Sequence, residues 1–76
     1  MARKHEEKYE QLRLNIIYYR NKKKFTQENL AEAIGGSRTH ISNIEAPGMD
    51  KSMSLDVLFD VADALEVDVS RLFEIR

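Results

Sequence analysis

Seventy-six residues with one proline, three glycines and no cysteine describe one small domain with neither a disulfide framework nor a thiolate metal site. Its modest core needs good packing or a partner to hold it. No apolar run approaches the length of a membrane span and no signal-peptide pattern opens the chain, so a cytoplasmic protein is expected. The net charge is −1, but it is unevenly distributed. Residues 1–24 hold eight Lys/Arg against three Glu, a balance of +5, whereas residues 25–50 and 51–76 each carry −3. Nucleic-acid binders usually show a basic footprint; here it would be confined to one end, with an acidic end beyond it.

Residues 1–5 are polar and expected to be disordered, with a single domain over 6–76. A helix pattern runs from Glu6 to about Lys22, and Tyr9, Leu12, Ile16 and Tyr19 step by three and four to form its core stripe. Leu14 and Ile17 lie off that stripe. Glu6 and Glu7 at the start and the Arg20–Lys24 run at the end both suit the helix dipole.

Thr26 to Glu45 then carries two short apolar-periodic segments around a glycine pair. Leu30, Ala31 and Ile34 share one helical face, as do Ile41 and Ile44. Thr26 and Ser37 are good N-cap residues. Phe25 and Leu30 have the spacing of a hydrophobic staple, and Gly35 can take the left-handed conformation that ends the first of the two helices. Helices this short, joined this tightly, leave the second one's outer face free, as in a helix-turn-helix. Ala46 to Met53 reads as a loop with Pro47-Gly48 as its turn signal. Ser54 caps a periodic helix with Leu55, Leu58, Val61, Ala62 and Leu65 on one face and Phe59 beside it. Asp68 caps a last short helix carrying Leu72 and Phe73. The reading is all-α: a five-helix bundle with helices 2 and 3 as the helix-turn-helix.

Gln27, Leu30-Ala31, Ile34-Gly35, Ser37, Ile41, Ile44 and Glu45 together resemble the Cro/phage-repressor-type (XRE-like) helix-turn-helix family, and the likeness extends from about Leu12 to Phe73. It implies a λ-repressor-like DNA-binding bundle in which the small Ala31 lets the two helices approach where they cross. It also implies that Arg20 pairs with Glu45 and fixes the first helix against the third. The chain departs from the pattern at Gly36, where the family usually has an apolar residue, and at Ala46-Pro47-Gly48.

In similar repressors the base-contacting positions match Arg38, Thr39, Ser42 and Asn43. Their chemistry suits the role: Arg pairs bidentately with guanine, Asn with adenine, and Thr offers a methyl or a hydroxyl. Any exposed helical face is polar, which accounts for Ser42, but not for the lack of Glu and Lys between Arg38 and Asn43. Phosphate contacts are expected from Gln27 and Ser37 at helix starts, and from Lys22, Lys23, His40 and Lys51. Asp50 beside Lys51 weakens that last expectation. No catalytic constellation is evident. His5 and His40 have no partners at metal-ligand spacing, and neither metal nor cofactor is expected.

These features point to a sequence-specific regulator of double-stranded DNA, a repressor binding a near-palindromic operator as a homodimer, with no enzyme activity, effector domain or small-molecule effector. Small regulators of this build resemble Cro-like proteins and restriction-modification controllers. Phe59, Phe73 and Ile75 are expected at the dimer interface, with Leu72 inside. The rival reading is a protein-interaction module, of antirepressor or antitoxin-partner type, working through its acidic C-terminal half.

Overall fold

The computed structural model describes residues 4–48 and 53–75. In order these form α1 (Glu6–Lys22), α2 (Gln27–Ile34), α3 (Arg38–Glu45), α4 (Leu55–Leu65) and a 3-10 helix at Val69–Phe73. There is no strand among the described residues, and no helix among them is long and apolar enough to cross a membrane. The expectation of disorder over 1–5 falls largely on residues 1–3, outside the described residues; Lys4 and His5 form a turn leading into α1.

Among the described residues the architecture is four α-helices, not five. In place of a fifth, Asp68 accepts from the Ser70 amide at 3.0 Å. Arg71 N–H then returns to the Asp68 carbonyl at 2.9 Å. Bonding over two and three residues winds this segment more tightly than an α-helix, and such turns stay short.

The other starts follow from local cap chemistry. Thr26 and Asn29 form a reciprocal capping box, Asn29 N–H donating to Thr26 Oγ1 at 3.0 Å and Thr26 N–H to Asn29 Oδ1 at 2.9 Å. Ser37 accepts from His40 N–H and Ser54 from Val57 N–H, each at 3.1 Å.

Three of the four α-helices end alike. Gly35 (φ +70°) closes α2, with Gly36 N–H returning to the Ala31 carbonyl at 2.8 Å. Lys24 (φ +63°) and Glu66 (φ +58°) occupy the corresponding left-handed positions after α1 and α4. Phe25 N–H returns to the Arg20 carbonyl at 3.0 Å and Val67 N–H to Ala62 at 3.1 Å. This is the Schellman ending, made twice with residues that pay a steric cost for it.

The core gathers Leu12, Ile16 and Tyr19 of α1, Leu30 and Ala31 of α2, Ile41 and Ile44 of α3, and Leu58, Val61, Ala62 and Leu65 of α4, together with Leu72. Tyr9, placed on the core stripe by periodicity, is only half-buried. Leu55, expected on the buried face of α4, is 65 % exposed: it is the first residue of that helix, and no turn precedes it to cover it.

Asn15 is fully buried within the α1 stripe. Its Nδ2 donates to the Leu72 carbonyl at 2.9 Å and the Glu74 carbonyl at 2.7 Å, while its Oδ1 accepts from Gln11 at 3.1 Å. A buried amide is tolerable only when its polar atoms are satisfied, and here they register the C-terminal segment against α1.

The glycine pair in the turn gives a sharp test. A Cβ on Gly35 meets nothing within 4 Å, so only its positive φ resists substitution. A Cβ on Gly36 makes an ordinary 3.5 Å contact with Ile34, at no positive φ. Gly35→Ala should therefore cost about 1 kcal/mol, whereas Gly36→Ala should be neutral or stabilise by roughly 0.5 kcal/mol through the unfolded chain. Lys24→Gly should stabilise by about 0.5–1 kcal/mol. Thermal unfolding by circular dichroism reads each as roughly 4–8 °C per kcal/mol. Equal effects at Gly35 and Gly36 would contradict this account of the turn.

Candidate nucleic-acid interface

α3 is only eight residues long and would be marginal alone in water. It is held by burying Ile41 and Ile44 against the rest of the bundle, with α2 packed against it. That fixes which residues turn outward: Arg38, Thr39, His40, Ser42 and Asn43 are all exposed. Ser37 caps the N-terminus through His40 N–H. The first turn carries no acid, whereas those of α1, α2 and α4 do. The positive end of the α3 dipole therefore has no carboxylate from its own first turn, although Glu28 and Glu32 of α2 line the same surface pocket as Gly36 and Arg38.

At the other end of α3 lies a polar cluster centred on Glu45. Arg20 donates through Nε to Glu45 Oε2 at 2.6 Å and through Nη2 to Oε1 at 3.0 Å, while its Nη1 reaches the Phe25 carbonyl at 2.7 Å. The pair is largely shielded, with side-chain exposures of 13 % for Arg20 and 5 % for Glu45. Gln27 Nε2 also donates to Glu45 Oε1, at 3.0 Å. Arg13 Nη1 donates to the Glu45 backbone carbonyl at 3.1 Å.

The phosphate candidates separate into groups. Ser37 and His40 lie beside one another at the α3 N-terminus, and both are exposed. Lys22 is exposed, its ammonium 5.7 Å from the Tyr18 ring centroid. Lys23 is instead paired at the surface with Glu66 and lies 5.2 Å from the Phe25 ring centroid. Gln27 is half-buried against Glu45. Lys51 lies outside the described residues.

Residue patterns alone missed three ion pairs among the described residues, one of them the exposed Arg71–Glu74 pair at 3.2 Å. Arg13 and Glu10 pair through two hydrogen bonds; the hydrogen bond from Arg13 holds the Glu10 carboxyl below its ordinary range and raises the guanidinium in turn. Their spacing of three within a helix is a visible signal. Lys23 likewise lowers the Glu66 carboxyl, first by hydrogen bonding and then by charge, but nothing in the sequence links residues so far apart.

A third feature stands apart from α3. An open, mainly apolar groove runs between the first turns of α1 and the C-terminal segment, lined by His5, Glu7, Lys8, Tyr9, Gln11, Leu12, Phe73 and Ile75.

A packed short helix that presents a polar face, set across a tight turn from a second helix, defines a helix-turn-helix DNA-binding bundle. Residues 16–72 match the helix-turn-helix family, and the chain belongs to it. Its fold is similar to that of the restriction-modification controller protein C.AhdI from Aeromonas hydrophila, with a TM-score of 0.78 and 26 % identity over 86 % of this chain and 96 % of that one. Among curated proteins none matches in sequence. Family and fold together make this a DNA-binding transcription regulator and not an enzyme.

The Glu45 cluster yields a test by contrast. Glu45→Ala strands the Arg20 guanidinium in a shielded site and should destabilise the fold by about 3 kcal/mol or more. Arg20→Met combined with Glu45→Leu removes both charges and should recover most of that loss. Urea unfolding of the single and double variants measures the difference; a double variant no more stable than Glu45→Ala would contradict the assignment.

Proposed function

We propose that this regulator is a small controller-like repressor that binds a near-palindromic operator as a homodimer, acting in the cytoplasm through a single DNA-binding domain over residues 6–76. The observation that carries the reading is the outward face of α3. Arg38, Thr39, Ser42 and Asn43 stand exposed on a helix whose opposite face is buried, and neither Glu nor Lys interrupts them. In the major groove Arg38 reads guanine and Asn43 reads adenine, with Thr39 and Ser42 supplementing them. Ser37, His40 and Lys22 contact phosphates and set the register. Gln27 has a second amide hydrogen for the same purpose. Lys23 reaches a phosphate only by leaving Glu66, so Lys22 is the stronger contributor.

Pairing follows from what the fold leaves uncovered. Ile75 is 90 % exposed, Phe73 55 % and Phe59 47 %. Phe73 and Ile75 also line the apolar groove beside α1. A two-fold partner seated there would cover this surface with the same surface of its own. It would also set two recognition helices about 34 Å apart, one turn of DNA.

Two experiments test this reading. Operator affinity should fall with salt despite the acidic balance, because local contacts set counterion release. Lys22→Ala should weaken all sequences about equally, whereas Arg38→Ala and Asn43→Ala should each lose roughly 1–3 kcal/mol of discrimination at one base position without unfolding. Mobility-shift titrations against a duplex selected from random sequence measure both effects; unchanged preference in both variants would mean that α3 does not read bases. Sedimentation equilibrium should show a wild-type dimer and an Ile75→Asp monomer. A wild type that stays monomeric at hundreds of micromolar and binds only half-sites would refute the pairing.

A further inference from the structure

α3 differs from the other α-helices in how it ends. α1, α2 and α4 close on left-handed residues whose neighbouring N–H groups return to the last turn. α3 closes on Ala46 in an extended conformation (φ −74°, ψ 144°), with a single weak return from Ala46 N–H to the Asn43 carbonyl at 3.3 Å. The last carbonyls of a helix lack intrahelical partners and carry its negative end. At α3 one of them is met by a side chain 32 residues earlier in the chain, Arg13 Nη1 donating to the Glu45 carbonyl.

The Arg13 guanidinium is itself oriented. Its Nε donates to Glu10 Oε1 at 3.0 Å, and its Nη2 to Glu10 Oε2. Such a two-point pair fixes the plane of the fork and hence the direction of the remaining donor. The Arg13 side chain is only 11 % exposed, and its three bonds leave it poorly placed to meet a phosphate.

We infer that Arg13, aimed by Glu10, is a positioning residue for DNA recognition: it caps the C-terminal end of α3 and so sets the angle at which Arg38 to Asn43 enter the groove. The inference rests on the DNA-binding reading above. Arg20 and Gln27 hold the Glu45 side chain, which alone lets the helix end shift about that anchor. Arg13 holds the backbone, and two points of attachment define a direction. Bidentate base contacts weaken steeply with misalignment, so a small tilt of α3 costs specific binding while leaving the phosphate charge balance untouched. The clamp also lies on the turn of α1 that supplies Gln11 and Leu12 to the apolar groove, so the surface proposed for pairing borders the one that sets α3.

The test compares Arg13→Ala, Arg13→Lys and Glu10→Gln with the wild type. Affinities are measured as a function of salt on a duplex selected from random sequence and on a scrambled duplex. Arg13→Ala should weaken the selected duplex roughly tenfold and leave both the scrambled-duplex affinity and the salt slope unchanged. Arg13→Lys, which keeps a cation at the helix end, should recover part of the loss. Glu10→Gln should shift in the same direction as Arg13→Ala, and it carries the comparison if Arg13→Ala fails to fold. In the free protein, amide hydrogen exchange at Glu45 and Ala46 should accelerate in the variants while α2 is unchanged. Equal weakening on both duplexes, with a salt slope lowered by about one, would make Arg13 a phosphate contact and overturn the inference. Unchanged exchange in the last turn of α3 would overturn it too. A wild type without salt-dependent affinity for any duplex defeats the DNA-binding reading instead, and the exchange measurement still decides whether Arg13 caps α3.

Discussion

The carboxylate of Glu45 is the point on which the arrangement of the first three helices depends. It receives Arg20 from α1 and Gln27 from α2, and it sits on the last residue of α3. An apolar contact could hold these helices together, but it would not specify their relative rotation. A forked guanidinium on a carboxylate tolerates little misalignment, so the cluster converts proximity into orientation. A shielded ion pair is weak support for stability, since desolvation offsets most of the attraction. Its value here lies in geometry, because the helix it orients is the one that presents Arg38 to Asn43.

Asn15 does comparable work between α1 and the C-terminal segment. The last segment has only Leu72 fully buried, too little apolar surface to fix its position. Asn15 and Tyr19 of α1 supply hydrogen bonds to the Leu72 and Glu74 carbonyls and to the Glu74 carboxylate. α1 is thus the common reference for α3 and for the C-terminal segment. One set of its residues registers α3, and the other registers the segment that carries Phe73 and Ile75.

What the amino-acid sequence revealed was the part governed by neighbours in the chain. Thr26, Ser37, Ser54 and Asp68 cap their helices because the groups they bond lie two or three residues away. Gly35 was legible because a left-handed turn favours glycine. Lys24 and Glu66 adopt the same conformation without any such signal, since the return bonds of their helix ends and the packing beyond override a local penalty. The outward face of α3 followed from Ile41 and Ile44 alone. The Arg20–Glu45 pair was visible only through family resemblance. The bonds of Asn15 and Arg13 to distant carbonyls were not visible at all, because a backbone acceptor has no residue type to mark it. Periodicity overstated the burial of Leu55 and Tyr9, which stand near helix starts where fewer neighbours reach them.

The same long-range bonds change how the charge should be read. The basic excess of residues 1–24 suggests a broad attraction for phosphate, yet Arg13, Arg20 and Lys23 are each paired with an acid, the Arg20–Glu45 pair being shielded on both sides. Lys4 and Lys8 near the start of α1, Lys22 and Lys24 at its end, and Arg38 on α3 remain exposed. Non-specific affinity for nucleic acid scales with the number of counterions released, so each cation engaged with an acid counts for less than the sequence total suggests. Arg13 and Arg20, two of the cations engaged in this way, are also the residues of α1 that fix the C-terminal end of α3.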